Sequence, residues 1–371
     1  MKLLQILTQV LKNIFRVAVF VALSLTGWSY NAEGQEVLPK HAATEEKAGE
    51  PQTTVWFITL RNKVEGESSN EFYGGMRGKL RSGCFRIDFA PIPGLKEISE
   101  AAPFYLPGER INLDRVEEKP EAKVLQEIKS FADSQQGNLV IYIHGYNIGF
   151  EKGCRQAAVF QRAKDERHRV ILFSWPADGD LLKYTRDEAD LEWSVFYMAA
   201  FFKHLVQLVG LGKVNVVAHS LGARGAVMAL LRIACTPPDG PFLNELVLMA
   251  PDIDSDAFRD IWPEIKQLAQ RTTVYVSEKD RALKLSRELH GYPRLGEAGA
   301  HLTVLPGMET VDVSLTVNRR ASGHLYHLYT PEVVADLAEL LDNGQFAGKR
   351  PNMIPAEVNG IPYWLVKPNA P

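Results

Sequence analysis

The chain has 371 residues, of which 46% are hydrophobic and 23% are charged, and it carries a formal net charge of -3 at pH 7. This composition is ordinary for a globular protein with room for one large core, and the small net charge gives no indication of a nucleic-acid partner. The sequence contains no internal repeat and no long low-complexity tract, which excludes a repeat array.

The N-terminus is basic and then apolar. Lys2, Lys12 and Arg16 precede an apolar run over residues 17–25, and no acidic residue comes before Glu33. This order is typical of a secretory signal peptide, and an uncleaved anchor stays open although a spanning helix needs about 20 apolar residues. Either segment predicts export of the rest of the protein to the periplasm or beyond, and an anchor would add an association with the membrane.

The folded region is expected to open with two strands. Residues 55–60 are apolar, and residues 84–89 alternate between apolar and polar side chains, both of which are typical of strands. Glycines between the two strands predict a looped hairpin, and prolines after them predict an irregular stretch. These residues are Gly74, Gly75, Gly78, Pro91, Pro93 and Pro103.

Helical and strand patterns then alternate along the chain. Apolar runs predict strands at residues 139–143, 170–173, 214–218, 246–249, 273–276 and 311–315. Helical periodicity predicts helices near residues 121–133, 152–165, 191–209, 221–231, 256–269 and 281–289, and a last one after Thr330 and Pro331. Alternation of this kind builds parallel βαβ units, and apolar strands need helices on both faces. The sequence therefore predicts an α/β fold with a mostly parallel central sheet, whose ligands bind at the carboxyl ends of the strands.

The most specific pattern is the step from strand to helix around Ser220. A sharp turn here, a nucleophile elbow, would lift the serine hydroxyl clear of the sheet, and such a turn needs small flanking residues. Gly222 follows the serine, and Ala218 stands where a glycine is usual. Gly225 is expected to let the helix pack closely on the strand. The alternative is an ordinary turn in which Ser220 caps the helix.

A serine nucleophile needs a base, most often a histidine that a carboxylate orients. With an elbow of this kind, the order along the chain is serine, acid, histidine. Asp280 follows the second strand after the serine strand, the usual place for the acid, and is the predicted acid; Asp252 and Asp254 follow the first. These two remain alternatives as the acid, could line the pocket, or serve a turn and a helix cap.

Four histidines follow the acid, namely His290, His301, His324 and His327. His324 follows a glycine in the loop between the last predicted strand and the last helix, which is where the base belongs, and it is the predicted base. His327 is either a partner of that base or a packing residue.

The oxyanion of acyl chemistry needs preorganised donors. The first predicted donor is the backbone N–H of Leu221, directly after the serine. The second is the N–H of Tyr146, in the loop after the first of the parallel strands, where Gly145 allows a close approach to substrate and His144 shapes the loop. An ordinary glycine turn is the alternative. Trp175, after the next strand, either walls the pocket or packs in the core.

Nothing in the sequence resembles a metal cluster, a Walker loop or a dinucleotide fingerprint, so no cofactor is expected. The cysteines Cys84, Cys154 and Cys235 form neither a metal site nor a disulfide framework. An exported protein can pair two of them, but buried free thiols are the favoured interpretation.

Together these motifs resemble those of the bacterial esterase and lipase superfamily, within an α/β-hydrolase family known only as a domain of unknown function. The resemblance covers residues 55–341 and rests on Ile58-Thr-Leu-Arg-Asn62, Gly83, His144-Gly-Tyr-Asn147, Phe173-Ser-Trp-Pro176, Ala218-His-Ser-Leu-Gly222, Ala250-Pro-Asp-Ile-Asp254, Val276-Ser-Glu-Lys-Asp280 and Gly323-His324. The opening strand of that family usually reads Thr-Asn-Arg, from which Thr59-Leu-Arg61 departs. The resemblance implies the α/β-hydrolase fold and a triad of Ser220, Asp280 and His324, but no particular substrate.

On this interpretation the chain has four segments. Residues 1–30 are a signal peptide or anchor, residues 31–53 a linker, residues 54–345 an α/β-hydrolase domain and residues 346–371 a C-terminal tail. The predicted function is a serine hydrolase that cleaves a carboxylic ester or related acyl bond in a small molecule or a lipid. Acyl transfer to an alcohol or amine is one alternative, and a non-catalytic binding protein of the cell envelope on the same fold is another.

Overall fold

The computed structural model describes residues 53–64, 72–91, 109–135, 138–164, 167–178, 183–317 and 323–369. The predicted signal peptide or anchor and nearly all of the linker lie in residues 1–52, outside these ranges. Within these ranges, none of the helices combines the length and the hydrophobicity that a membrane span requires.

One sheet of eleven strands forms the centre of the molecule. In chain order the strands are β1 (Thr53–Lys63), β2 (Tyr73–Pro91), β3 (Glu109–Lys119), β4 (Asn138–Ile143), β5 (His168–Ser174), β6 (Val214–His219), β7 (Leu243–Met249), β8 (Ala269–Val276), β9 (Glu309–Asp312), β10 (Met353–Val358) and β11 (Ile361–Val366). Their spatial order is β10-β11-β9-β8-β7-β6-β4-β5-β1-β2-β3. The run from β11 to β1 is parallel, and β2, β3 and β10 add antiparallel pairs at the two edges. The predicted α/β fold with a mostly parallel sheet is confirmed.

Helices cover both faces of this sheet. Those that the structure describes are α1 (Glu121–Gln135), α2 (Phe150–Arg162), α3 (Tyr184–Val209), α4 (Leu221–Ala234), α5 (Ser255–Ile265), α6 (Arg281–His290), α7 (Tyr326–Tyr329) and α8 (Pro331–Asn343). Alternate strand residues point to opposite layers. Ile141 and Val216 pack with α1, α3, α4 and α5, whereas Tyr142 and Val217 pack with α2, α6, α7 and α8. The helix expected over residues 256–269 ends earlier, since Ala269 already pairs with Leu243 in the sheet.

The N-terminal edge corrects two expectations. The three glycines expected in a hairpin loop lie within β2, because the β1–β2 pairing shifts register on both sides of Arg61. A Cβ on Gly78 would collide with the carbonyl of Arg61, so glycine permits this irregular pairing. Strand β3 was not predicted at all. Its side chains are mostly exposed or half-buried, and pairing with β2 stabilises it in place of an apolar core face.

The C-terminal segment corrects the expected tail over residues 346–371. It contains the hairpin β10–β11, and Trp364 of β11 pairs in parallel with Val311 of β9. The turn of this hairpin is Asn359-Gly360, with φ of 51° and 78°, the backbone form that favours tight hairpins. An Asn-Gly pair between two short apolar runs is typical of a hairpin, so the sequence contained a signal for it that the prediction did not use.

Candidate active site

The carboxyl ends of the parallel strands meet at one edge of the sheet, and the loops after them carry the predicted site residues. His144 follows β4, Ser220 follows β6 and Asp280 follows β8, while His324 comes after β9. Strands β4, β6, β7, β8 and β9 are consecutive in the sheet. The topology therefore gathers these loops over one region of the molecule.

Ser220 lies at a strained turn between β6 and α4. Its backbone has φ 54° and ψ -124°, and its side chain makes no helix-cap hydrogen bond, so the reading as a capping serine does not hold. The N–H of Ser220 donates to the carbonyl of Met249 at 2.9 Å, and its own carbonyl accepts from the N–H of Asp252 at 3.2 Å. A Cβ on Gly222 would collide with the carbonyl of His144. The glycine thus lets the elbow lie directly against the loop after β4.

Gly225 has a different role from the one expected. A Cβ on Gly225 would meet the Leu191 side chain at 2.6 Å and that of Met198 at 3.3 Å, both on α3. The glycine therefore allows α4 to pack closely on a neighbouring helix, and not on its own strand. Sequence spacing marks a small residue as a close contact but does not identify the partner element.

His324 and Asp280 are in direct contact. The Nδ1–H of His324 donates to Oδ2 of Asp280 at 2.7 Å, and Oδ1 of Asp280 accepts from the N–H of Leu283 at 3.0 Å, which caps α6. Gly323 has φ 67°, and a Cβ there would lie 2.5 Å from the carbonyl of Lys279. This close backbone approach, which favours glycine, holds His324 beside Asp280.

The surroundings of His324 favour its charged form. Burial opposes the charge, but the charge of Asp280 and the hydrogen bond to Asp280 outweigh burial and raise the pKa of His324 above 6.5. Within the described ranges, no hydrogen bond joins the Ser220 hydroxyl to His324. In unliganded enzymes such a bond is often long and shortens when substrate binds.

The two alternative acids have other partners. Asp254 caps α5 and accepts from two backbone N–H groups of its first turn. Asp252 is buried and accepts from Arg294 Nε at 2.7 Å, from the Ser286 hydroxyl at 2.6 Å and from the Tyr184 hydroxyl at 2.8 Å. The carboxylate of Asp252 is thus held in an ion pair next to the elbow.

Three further histidines surround the elbow, and burial keeps them neutral. It lowers the pKa of His144 to about 3, as it does that of His327, and holds the pKa of His219 well below 6.5. The His219 ring lies 4.5 Å from the rings of both His324 and His327, and His219 Nε2 lies 3.0 Å from the His324 carbonyl. His327 Nε2 lies 3.1 Å from the Tyr142 hydroxyl, so His327 packs behind the site. The contact of His219 with His324 was missed, although its place directly before Ser220 was a signal.

The loop after β4 lies against the elbow. A Cβ on Gly145 would lie 2.9 Å from Ser220 Cβ, so the backbone before Tyr146 touches the serine. Asn147 has φ 57°, and its N–H donates to Oδ2 of Asp187 at 3.2 Å. The other predicted donor, the N–H of Leu221, opens α4 directly after the serine. Leu221 is thus next to Ser220 in the chain, and Gly145, the residue before Tyr146, is next to it in space.

Two buried residues from other segments, Trp175 and Arg61, contact His144 in this loop. Trp175 is fully buried, its indole N–H donates to the carbonyl of His144 at 2.9 Å, and its ring stacks on the His144 ring at 5.2 Å. Of its two expected roles, the structure shows packing. Arg61 of β1 reaches the same loop, with its Nη2 3.3 Å from His144 Nε2. Nothing in the sequence signalled this contact between distant segments.

Potential metal ligands and cysteines are other groups that could form a site. Over the described residues, no group of three or more histidine, cysteine, aspartate or glutamate side chains could hold a metal ion. Cys84 and Cys154 are buried and Cys235 is exposed, and all three are free thiols. The exposed position of Cys235 corrects the expectation that all of them are buried.

Comparison with protein families identifies one match. A family model described as "alpha/beta hydrolase of unknown function (DUF900)" matches residues 119–343, more than half of the chain. The match runs from the end of β3 to the end of α8 and includes Ser220, Asp280 and His324, whereas β1, β2 and the C-terminal hairpin lie outside it. No curated protein matches the chain.

Proposed function

The chain belongs to this family of α/β hydrolases of unknown function, and from that premise we propose that it is a serine hydrolase that cleaves a carboxylic ester or related acyl bond. The observation that carries the proposal is the 2.7 Å hydrogen bond between His324 Nδ1 and Asp280 Oδ2, next to a serine at a strained strand-to-helix turn. Because the Nδ1–H of His324 donates to Asp280, Nε2 of the neutral ring carries no proton. Nε2 can therefore accept a proton, as a general base must.

In the proposed reaction, the Ser220 hydroxyl attacks the acyl carbon while His324 Nε2 takes its proton. The backbone N–H groups of Leu221 and Tyr146 stabilise the oxyanion. His324 then gives the proton to the leaving alcohol, which departs and leaves an acyl group on Ser220. Water attacks this acyl-enzyme with His324 again as base, and a carboxylic acid and free Ser220 result. These steps need no cofactor.

Labelling with a fluorescent phosphonate tests the proposal, because this reagent reacts with base-activated serines. We expect wild-type protein to take the label and to hydrolyse p-nitrophenyl esters, and Ser220→Ala to lose both. The matched control is Ser82→Ala, which removes another buried serine hydroxyl that donates to the Lys119 carbonyl at 2.8 Å in the β2–β3 pair. Ser82→Ala should keep both activities.

Residual ester cleavage in Ser220→Ala should be judged against wild type, since binding and the oxyanion hole alone can leave about 10³-fold catalysis over water. Added methanol in the assay separates hydrolysis from acyl transfer by the ratio of acid to methyl ester formed. If folded wild-type protein takes no label and cleaves no ester of short or long acyl chain, the hydrolase proposal is wrong and a binding protein on this fold replaces it.

A further inference from the structure

Arg61 is a fully buried arginine on β1 whose five N–H groups all donate hydrogen bonds. The acceptors are Ser174 Oγ at 2.8 Å, the carbonyls of Gly74, Ala177 and Ile148 at 3.2, 2.7 and 2.6 Å, and His144 Nε2 at 3.3 Å. They belong to β2, to the end of β5 and to the loop after β4. One side chain therefore joins three segments at the edge of the sheet that carries Ser220.

This arrangement is unusual because burying a charge normally requires a partner of opposite charge. Among the described residues, no carboxylate forms a salt bridge with Arg61, and Asp187 acts on it only at longer range. Burial lowers the pKa of Arg61 to about 10, so the guanidinium stays charged at neutral pH. A desolvated cation of this kind is costly for stability alone, which points to a role at the neighbouring site.

Arg61 determines which nitrogen of His144 carries the proton. A guanidinium only donates, so His144 Nε2 must accept from Arg61, and the proton of the neutral ring must be on Nδ1. His144 Nδ1 lies 2.9 Å from the carbonyl oxygen of Gly145, and this Nδ1–H therefore donates to that carbonyl. The tautomer of His144 is thus coupled to the orientation of one peptide bond.

That peptide bond carries the predicted oxyanion donor. The carbonyl of Gly145 and the N–H of Tyr146 belong to the same planar, trans peptide unit, so they point in opposite directions. When the carbonyl is bound by His144, the N–H of Tyr146 is turned away from the His144 ring. Gly145 itself lies against Ser220 Cβ and His219 Nδ1, so the peptide is fixed beside the nucleophile.

We propose that Arg61 is a positioning residue that orients the Gly145–Tyr146 peptide as part of the oxyanion hole, acting through the tautomer of His144. The inference rests on the proposed serine-hydrolase function. The second bond of Arg61 to this loop, from Nη2 to the Ile148 carbonyl, holds the far end of the loop, while Asp187 holds the Asn147 N–H between them. A planar fork with five donors can reach all of these groups at once, which a lysine ammonium with three donors from one point cannot.

The test compares Arg61→Met and Arg61→Lys with Arg350→Met. Arg350 is a matched control because its side chain is also fully buried, but it pairs with Glu309 and Asp336 away from the loop. We expect both Arg61 variants to lower kcat by about 10²-fold with little change in KM, as for loss of one oxyanion donor. Affinity for a trifluoromethyl ketone, which forms a tetrahedral adduct with the serine, should fall in parallel. Arg350→Met should unfold at lower temperature but keep its kcat.

Two further measurements separate positioning from stability. Amide hydrogen exchange of the peptide over residues 144–149 should speed up in Arg61→Met and not in Arg350→Met. The acid limb of the kcat/KM profile against pH should stay in place, since the His324–Asp280 pair is untouched. If Arg61→Met does not fold, His144→Phe is the substitute: it keeps a ring against Trp175, removes both nitrogen contacts and should show the same loss of kcat.

The inference is overturned if Arg61→Met or His144→Phe keeps kcat within about twofold of wild type, or if Arg350→Met loses as much kcat as Arg61→Met. It is also overturned if amide exchange over residues 144–149 does not respond to loss of Arg61. A wild-type protein that is inert in every ester assay contradicts the proposed function instead, and the exchange measurement then still decides whether Arg61 holds the loop.

Discussion

The four histidines at the carboxyl edge of the sheet differ in the direction of their pKa shifts, mainly because one of them is bound to the carboxylate of Asp280. Burial, helped by nearby positive charges, lowers the pKa of His144 and His327 to about 3 and that of His219 well below 6.5. His324 is also buried, but Asp280 raises its pKa above 6.5. Of the four, His324 is thus the one whose surroundings favour the charged form, which a general base adopts when it takes a proton.

Substitution of the acid tests this assignment. We expect Asp280→Asn to lower kcat by about 10³- to 10⁴-fold, because His324 loses the partner that orients it and stabilises its charge. The amide oxygen of asparagine can still accept from the Leu283 N–H, so the cap of α6 and the fold should persist. The measurement is kcat with a soluble ester, beside a thermal melt.

Asp254→Asn is the matched control for this change. Asp254 caps α5, and asparagine caps helices about as well as aspartate, so neither kcat nor stability should change much. An opposite ranking of the two variants would place the acid after β7 and not after β8.

The pH dependence follows from the raised pKa of His324. Protonated His324 cannot accept a proton, so kcat/KM should fall as pH drops through the folded-state pKa, which lies above 6.5. In Asp280→Asn the main charge that offsets the burial of His324 is lost, and the acid limb of the residual activity should move to lower pH. The measurement is kcat/KM between about pH 5 and 9 for both proteins. A wild-type limb below pH 6 would show that His324 gains no net stabilisation of its charge.

The helix α4 depends on two glycines whose neighbours differ in rigidity. The backbone carbonyl of His144 faces Gly222, whereas the side-chain tips of Leu191 and Met198 face Gly225. A backbone group in a central loop cannot move aside, but a side chain can change rotamer at modest cost. The elbow is therefore more sensitive to added volume at its first turn than at its second.

Alanine at each of these positions should separate the two effects. We expect Gly222→Ala to lose activity and at least about 3 kcal/mol of stability, because the new methyl group forces the elbow and the loop after β4 apart. Gly225→Ala should cost less, since about 1 kcal/mol of helix propensity gained from alanine offsets part of the crowding. Urea unfolding and ester hydrolysis measure both. Equal losses for the two variants would contradict the contact of Gly222 with the loop.

At the scale of the whole molecule, antiparallel strands extend the parallel sheet on both sides, so that β10 and β3 are its edge strands. The C-terminal hairpin β10–β11 covers β9, which would otherwise present unpaired backbone groups at an open edge. Val366 of β11 is almost fully buried against α8 and its neighbours. The hairpin therefore completes the core as well as the sheet.

Truncation after Arg350 tests this role of the hairpin. We expect a loss of at least about 2 kcal/mol, in line with exposure of Val366 alone, and faster aggregation through the freed edge of β9. The control is truncation after Val366, which leaves both strands in place. Thermal melting and light scattering measure the two effects. A protein cut after Arg350 that is as stable as the control would mean that the hairpin is dispensable.

We also propose that the protein is exported. Basic residues before the apolar run over residues 17–25, without acidic residues, support this proposal. A fusion of residues 1–52 to a reporter that is active only outside the cytoplasm should give signal, and the same fusion with Lys2, Lys12 and Arg16 changed to glutamate should give less. An intact but silent wild-type fusion would contradict export.

Much of the fold follows from local patterns. The apolar runs and helical periodicity predicted the parallel α/β sheet because burial on both faces leaves a mark on nearly every strand residue. The pattern failed where burial is partial: β3 is largely exposed, and the C-terminal hairpin contributes only a few core residues. The triad of Ser220, Asp280 and His324 could be predicted from the sequence because the elbow pattern is local and chain order then selects an acid and a histidine after later strands.

The sequence by itself determined the alternation of strands and helices that builds a mostly parallel sheet, and the chemical types of the residues at its carboxyl edge, since both depend on patterns within short segments. Only the tertiary structure decided which contacts those residues make. Asp280 rather than Asp252 meets His324 because a left-handed Gly323 brings the loop onto Lys279. Arg61 reaches His144 because β1 lies beside β5, two strands from β4. Contacts between distant segments depend on how the strands are ordered, and no local pattern encodes that order.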